Sequence, residues 1–142
     1  MSNLGYHVFN RGNDRNTLFR EAADYRAFTA KMEQTCVKHK VERVAYVLMP
    51  NHFHAILMAA LGTSYAKRYN LKYSHTGHVF QGRYRYTHIE SEEALNTVAR
   101  YIHLNPVKAR LVRKPEDWEY SDFKRWREER KLIRSFRAER GG

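Results

Sequence analysis

Two short stretches hold the side chains with the widest chemical reach: Met49-Pro50-Asn51-His52-Phe53-His54 and Arg100-Tyr101-Ile102-His103-Leu104-Asn105-Pro106. Side chains two apart in a strand share a face, so His52 and His54 project together while Phe53 turns the other way, toward a core. Two adjacent imidazoles can hold one divalent ion, but a tight site needs a third donor from elsewhere. Positions i and i+4 share a helix face, which aligns Tyr101 with Asn105. Asn105 offers an amide oxygen to such an ion, and the Tyr101 hydroxyl then lies one turn away. His103 falls about 160° around the helix from Tyr101 and is given no role. Each motif alone has an ordinary alternative. Half-exposed histidines are common on strands, an Asn before Pro often ends a helix, and a helical Tyr is often half-buried surface.

The elements that must position these residues follow from periodicity. LGYHVF reads as a first strand, ended by the turn-rich RGNDRN. Phe28, Met32 and Cys36 recur at spacings of four, which predicts an amphipathic helix from Ala22 to about His39. Val41–Met49 and HFHAILM form a hairpin across Pro50-Asn51. A short basic helix is expected from Gly62 to about Tyr73, then a loop SHTGH and a fourth strand GRYRYTHI. Ser91 caps a third helix with Glu92 and Glu93 in its first turn and Leu95, Val98 and Ile102 on its buried face. Pro106 is expected to stop or kink that helix, with PVKARLV restarting as a separate turn. Trp118, Tyr120, Phe123 and Trp126 dock the start of a basic C-terminal helix. The order implies an α+β fold with helices packed on a mainly antiparallel sheet. Residues 1–123 would form the domain and 124–142 a basic tail or helix.

The 142 residues carry 26 Lys+Arg against 15 Asp+Glu, a net charge of +11, with 42% hydrophobic residues that exclude a disordered polybasic tail. The single cysteine, Cys36, forms no internal disulfide, so a reducing compartment is the default expectation. No apolar run approaches the roughly 18–20 residues of a membrane span, and the N-terminus lacks a secretory core. The charge is uneven: residues 43–89 hold no carboxylate but carry Arg43, Lys67, Arg68, Lys72, Arg83 and Arg85 among Tyr46, Tyr65, Tyr69, Tyr73, Tyr84 and Tyr86. Cations beside stacking rings suit a single-stranded nucleic acid, and a plainly solvated basic face is the alternative.

MPNHFHAIL, YNLKYSHTGHVFQGRYR and RYIHLNPVKARLV, with the opening GYHVFNRGNDRNTLFREAADYRAF, resemble the REP-associated tyrosine transposases. These belong with the single-tyrosine transposases of the His-hydrophobe-His superfamily. The likeness runs from residue 5 to about 123, with its motifs in the family's order. It implies a ferredoxin-like catalytic core that binds Mg²⁺ or Mn²⁺ and cuts single-stranded DNA beside hairpins of repetitive extragenic palindromes. Carried over by position, His52 and His54 match the paired metal ligands, Asn105 the third, amide ligand, and Tyr101 the nucleophile. Attack by Tyr101 would leave a 5′-phosphotyrosine and a free 3′-hydroxyl, so the step can be reversed without ATP. A tyrosine hydroxyl ordinarily titrates near pH 10, so metal polarisation of the phosphate makes chemical sense. Arg11, Arg83 and Arg85 are candidate phosphate clamps, and Lys67, Arg68 and Lys72 further DNA contacts.

One departure concerns the connection between HAILMA and LGTSYAKRYN, which is shorter than the family's and bears on the DNA groove and any dimer contact. The partner is therefore expected to be single-stranded or hairpin DNA, with no membrane, a cytoplasmic and nucleoid-associated location, and either a monomer or a homodimer. Two competing readings are a domesticated relative that binds hairpin DNA without cutting it, and a ferredoxin-like RNA-binding module. The second predicts exposed aromatics on the central strands and no metal dependence.

Overall fold

The computed structural model describes residues 4–11, 17–59 and 85–141. Four strands and three helices account for most of them: β1 (Gly5–Arg11), α1 (Ala22–Lys38), β2 (Val41–Met49), β3 (His52–Ala59), β4 (Arg85–Ile89), α2 (Glu92–Lys108) and α3 (Phe123–Gly141). The strands form one sheet in the order β2-β3-β1-β4, with every neighbouring pair antiparallel. That is the order of the ferredoxin-like split βαβ arrangement, with β1 and β2 parallel and joined through α1. The expected helix at 62–73, the SHTGH loop and the first residues of the fourth strand lie outside the described residues.

The two faces of the sheet are covered by different helices. Alternation sends Tyr6, Val8, Phe53, Leu57 and Leu48 to one face, where they pack with Phe19 and the Tyr25, Phe28, Met32 and Cys36 side of α1. Ala45, Val47, Met49, Ile56 and Ile89 go to the other, under Leu95, Val98, Ala99 and Ile102 of α2. A bulge in β2 between Arg43 and Ala45 makes this phase possible. One extra residue flips every later side chain, so Val41 faces α1 while Ala45, Val47 and Met49 face α2.

Local chemistry sets the ends of the helices. The Asp24 carboxylate accepts from the backbone N–H groups of Arg20 (2.8 Å) and Glu21 (3.2 Å) at the start of α1. At α2 the Ser91 hydroxyl accepts from Ala94 N–H at 3.0 Å, as expected of a cap. Pro106 does not stop the helix: α2 runs through it to Lys108, and the ring is fully buried. The ring removes the N–H that would have bonded Ile102, but it fills core space near the end of the helix, where few bonds remain to be lost. The helix then closes with Arg110 at φ 62°, Arg110 N–H donating to Val107 O (3.0 Å) and Leu111 N–H to Pro106 O (3.0 Å). PVKARLV is thus the last turn and cap of α2, not a separate element.

The chain then crosses to β2 and covers its outer edge. Leu48 N–H donates to Tyr120 O (2.8 Å), Trp118 Nε1–H to Leu48 O (2.9 Å), and Val47 bridges Ser121. This pairing closes an otherwise open strand edge. Trp118 and Tyr120 pack against the α1 core, and Trp126 against the α2 core. The aromatic start of the tail therefore docks as the sequence predicts.

Candidate active site

Strand register assembles the site on the α2 face of the sheet. His54 stands in a row with Val47 of β2, Phe9 of β1 and Arg85 of β4, while His52 pairs with Met49 and Arg11. His52 follows directly after the two-residue turn of the hairpin. That turn is tied to the segment before α1, because Pro50 O accepts from Leu18 N–H (2.7 Å) and Phe19 N–H (3.1 Å). His54 is buried, at 8% exposure, and His52 is half-buried.

The two rings converge: Nδ1 of His52 and Nε2 of His54 are 3.1 Å apart. A third imidazole joins from behind, with Nε2 of His7 3.0 Å from Nδ1 of His54. Phe9 braces this chain, its ring lying against His7 (5.0 Å) and stacked on His54 (6.0 Å, 25°). Burial lowers the pKa of His7 below its ordinary 6.5 by disfavouring the charged form.

Helix α2 brings Tyr101 to the same place. Its ring meets His54 edge-on, at a centroid distance of 5.5 Å and an angle of 88°, and it keeps 45% of its surface exposed. The Lys108 ammonium lies 5.5 Å from the centre of the Tyr101 ring. Asn105 sits half-buried one turn after Tyr101, and its backbone carbonyl accepts from Ala109 N–H at 2.9 Å. Among the described residues its amide makes no hydrogen bond to the imidazoles. The structure thus gathers His52, His54 and Tyr101, and places Asn105 on the same helix one turn beyond.

The donor set fits a small divalent ion. Two nitrogen ligands at about 2.1 Å and at right angles around a metal stand roughly 3.0 Å apart, close to the spacing of His52 and His54. Among the described residues no group of three or more His, Cys, Asp or Glu side chains could hold a metal. Among the described residues, a third protein donor to this pair would be of another type, such as an amide.

Of the candidate DNA contacts, Arg85 is exposed at the start of β4 and lies across Phe9 from His54. Arg11 is described through its backbone, as the register partner of His52. Lys67, Arg68, Lys72 and Arg83 lie outside the described residues.

Three neighbours of the site were not foreseen from the sequence: His7, Phe9 and Lys108. The alternation of Tyr6-His7-Val8-Phe9 was the available signal, since it sets His7 and Phe9 on one face of β1. His103 does point away from Tyr101, as its angle on the helix requires, and is 2% exposed. It is nevertheless occupied. Its Nε2–H donates to Asp122 Oδ1 at 2.8 Å, the same oxygen accepts from Tyr46 N–H at 2.9 Å, and Arg125 donates to Oδ2. Arg125 also donates to Val44 O at 3.0 Å, at the bulge of β2. This tie holds α2 to β2 and to the start of α3.

Comparison with known proteins places the chain in a family. A Haemophilus influenzae protein assigned as a REP-associated tyrosine transposase is 29% identical, over 69% of this chain and 68% of the relative. The solved structure of a REP-associated tyrosine transposase bound to a REP hairpin superposes with a TM-score of 0.64 and 20% identity, covering 88% of this chain and 79% of that one. That likeness establishes the shared fold, an α+β sheet of four antiparallel strands with three helices. Among the described residues no helix is long and apolar enough to cross a membrane. The family model for IS200-like transposases matches residues 1–105, a span that holds His52, His54, Tyr101 and Asn105, and the chain belongs to that family.

Proposed function

We propose that the protein is a metal-dependent strand transferase that cuts and rejoins single-stranded DNA beside hairpins, with Tyr101 as the nucleophile. The observation that carries this reading is the Tyr101 ring set edge-on against His54, whose Nε2 converges with Nδ1 of His52. His52, His54 and the amide oxygen of Asn105 would hold Mg²⁺ or Mn²⁺. When bound, such an ion polarises the scissile phosphate and stabilises the charge that develops there.

The chain's own groups divide the remaining work. The Tyr101 oxygen attacks phosphorus in line, forming the tyrosine–phosphorus bond as the bond to the 3′-oxygen breaks. The tyrosine proton is lost, and the departing oxygen gains one to become a free 3′-hydroxyl. The phosphate stays on the 5′ side, so a second 3′-hydroxyl can reverse the step with no external energy source. The exposure of Tyr101 leaves its hydroxyl accessible to a strand, and Lys108 and Arg85 supply positive charge nearby. The net charge of +11 attracts the polyanion without selecting a sequence.

A sheet-surface RNA-binding module would need exposed aromatics on the central strands. Tyr6 of β1 and Phe53 of β3 are instead buried under α1, and Phe9 on the other face is half-buried against His7 and His54, which disfavours that reading. The test mixes purified protein with end-labelled hairpin DNA and Mn²⁺ and seeks a protein–DNA adduct that survives denaturation. Wild type should form it and Tyr101→Phe should not. An adduct that persists in Tyr101→Phe reassigns the nucleophile, and hairpin binding without adduct at any metal concentration makes the protein a non-catalytic binder.

A further inference from the structure

We propose that His7 is a positioning residue for the candidate metal site: it accepts the Nδ1–H of His54 and so holds His54 in the tautomer whose Nε2 lone pair faces His52. The inference rests on the reading above, in which His52 and His54 hold the metal.

The two nitrogens of one imidazole point to opposite sides of the ring. Nε2 of His54 faces Nδ1 of His52 at 3.1 Å, and Nδ1 of His54 faces Nε2 of His7 at 3.0 Å. An ion shared by His52 and His54 therefore sits on the side of the His54 ring away from His7. His7 cannot be a third ligand to it. What His7 can do is decide where the His54 proton resides.

Only one arrangement leaves His54 ready to bind. Its proton must be on Nδ1, donated to His7, so that Nε2 is free. In the reverse arrangement His54 donates from Nε2 to His52, and both potential ligands are consumed by one hydrogen bond. His54 is buried, so an N–H on its inner side needs a protein acceptor and cannot rely on bulk water. Without His7 the Nδ1–H loses this acceptor, which favours the tautomer with the proton on Nε2, facing His52. The competition for the Nε2 lone pair then weakens the metal.

The fold builds this contact rather than leaving it to loops. His7 and His54 lie on adjacent central strands, and His7 is the diagonal neighbour of His54 because Phe9 is its direct partner. The Phe9 ring fixes the plane of both imidazoles: His7 and His54 are inclined by only 27° with centroids 5.2 Å apart.

The experiment measures Mn²⁺ affinity of the full chain by electron paramagnetic resonance of the free ion, with no DNA present. Wild type is compared with His54→Ala, His7→Leu and His7→Gln, the last retaining an acceptor near the position of Nε2. His7→Leu should weaken Mn²⁺ about tenfold or more, and His7→Gln should recover to within roughly threefold of wild type. Long-range ¹⁵N–¹H correlation spectra of the metal-free wild type should show His54 protonated at Nδ1, a readout that does not depend on any variant folding. If His54→Ala leaves Mn²⁺ affinity unchanged, the metal assignment itself fails. If His54→Ala weakens binding but His7→Leu does not, or if Gln fails as badly as Leu, the role of His7 is refuted while the site stands. Protonation of His54 at Nε2 in the wild type refutes it equally.

Discussion

Replacing Asp122 should cost more stability than any comparable change at the surface, because its carboxylate serves three separate elements. Oδ1 accepts from His103 of α2 and from Tyr46 N–H of β2, and Oδ2 from Arg125 of α3. Asp122→Ala leaves His103 Nε2–H and Tyr46 N–H without acceptors, and His103 is 2% exposed, so water does not readily replace the oxygen. Each buried donor left unsatisfied costs about 1–3 kcal/mol, and breaking a buried pair typically costs about 3–5 kcal/mol. We therefore expect a loss of about 3–5 kcal/mol out of a total of roughly 5–15 kcal/mol for a domain of this kind. At about 3 °C per kcal/mol for a chain of this size, Tm should fall by roughly 10–15 °C. Asp122→Asn keeps one acceptor oxygen and should lose less. Arg125→Ala, at a side chain 43% exposed, should lose only about 1 kcal/mol. Urea unfolding followed by the fluorescence of Trp118 and Trp126, which flank the tie, provides the measurement. A double-mutant cycle of Asp122→Ala with His103→Leu should show coupling above about 1 kcal/mol. A loss below 1 kcal/mol for Asp122→Ala would falsify the claim that this carboxylate joins the three elements.

Two further outcomes can be checked with the same unfolding assay. Arg110 adopts φ 62°, a left-handed conformation that costs an L-residue about 1–2 kcal/mol, and its side chain is exposed. Arg110→Gly should therefore stabilise the protein by about 0.5–1 kcal/mol after the entropy cost of glycine, and a lowered Tm would contradict the assignment of the cap. Burial raises the pKa of Cys36 above 9.0 and those of Tyr25 and Tyr46 above 10.0, chiefly by desolvation. The unfolded chain releases these protons first, so stability is intact below pH 9 and declines as pH rises through 9 to 10 and beyond. The urea midpoint should fall across that range, and less so in Cys36→Ala; a flat midpoint would mean these groups are not held neutral by the fold.

Much of this arrangement is legible in the chain because it is local. His52-Phe53-His54 alternates, so its split between the site and the α1 core follows from strand geometry alone. Ser91 with Glu92 and Glu93 marks the start of α2 before any packing is known. Pro106 misleads for the opposite reason: its effect depends on the buried space that its ring fills, which no window of sequence reports. The same holds for the bulge at Val44, which is visible only as a shift of register against β3. His7 is invisible in that sense too. A lone histidine in a strand is unremarkable until the sheet order sets β1 beside β3 and brings it to a ring 47 positions away. Periodicity shows that α1 and α2 each have an apolar side, but it does not say that they occupy opposite faces of the sheet.

That opposition has an evolutionary consequence. The α1 layer, with Phe28, Met32 and Cys36 over Phe53 and Leu57, has the full thickness of the sheet between it and the imidazoles. Its side chains can drift among apolar residues of similar volume while the only quantity at stake is the overall folding equilibrium. The α2 layer has no such latitude, since any change that shifts Ile102 or Pro106 moves Tyr101 and Asn105 with it. Stability can therefore be retuned from the α1 side with little effect on the candidate site, whereas a change in the α2 layer reaches both at once.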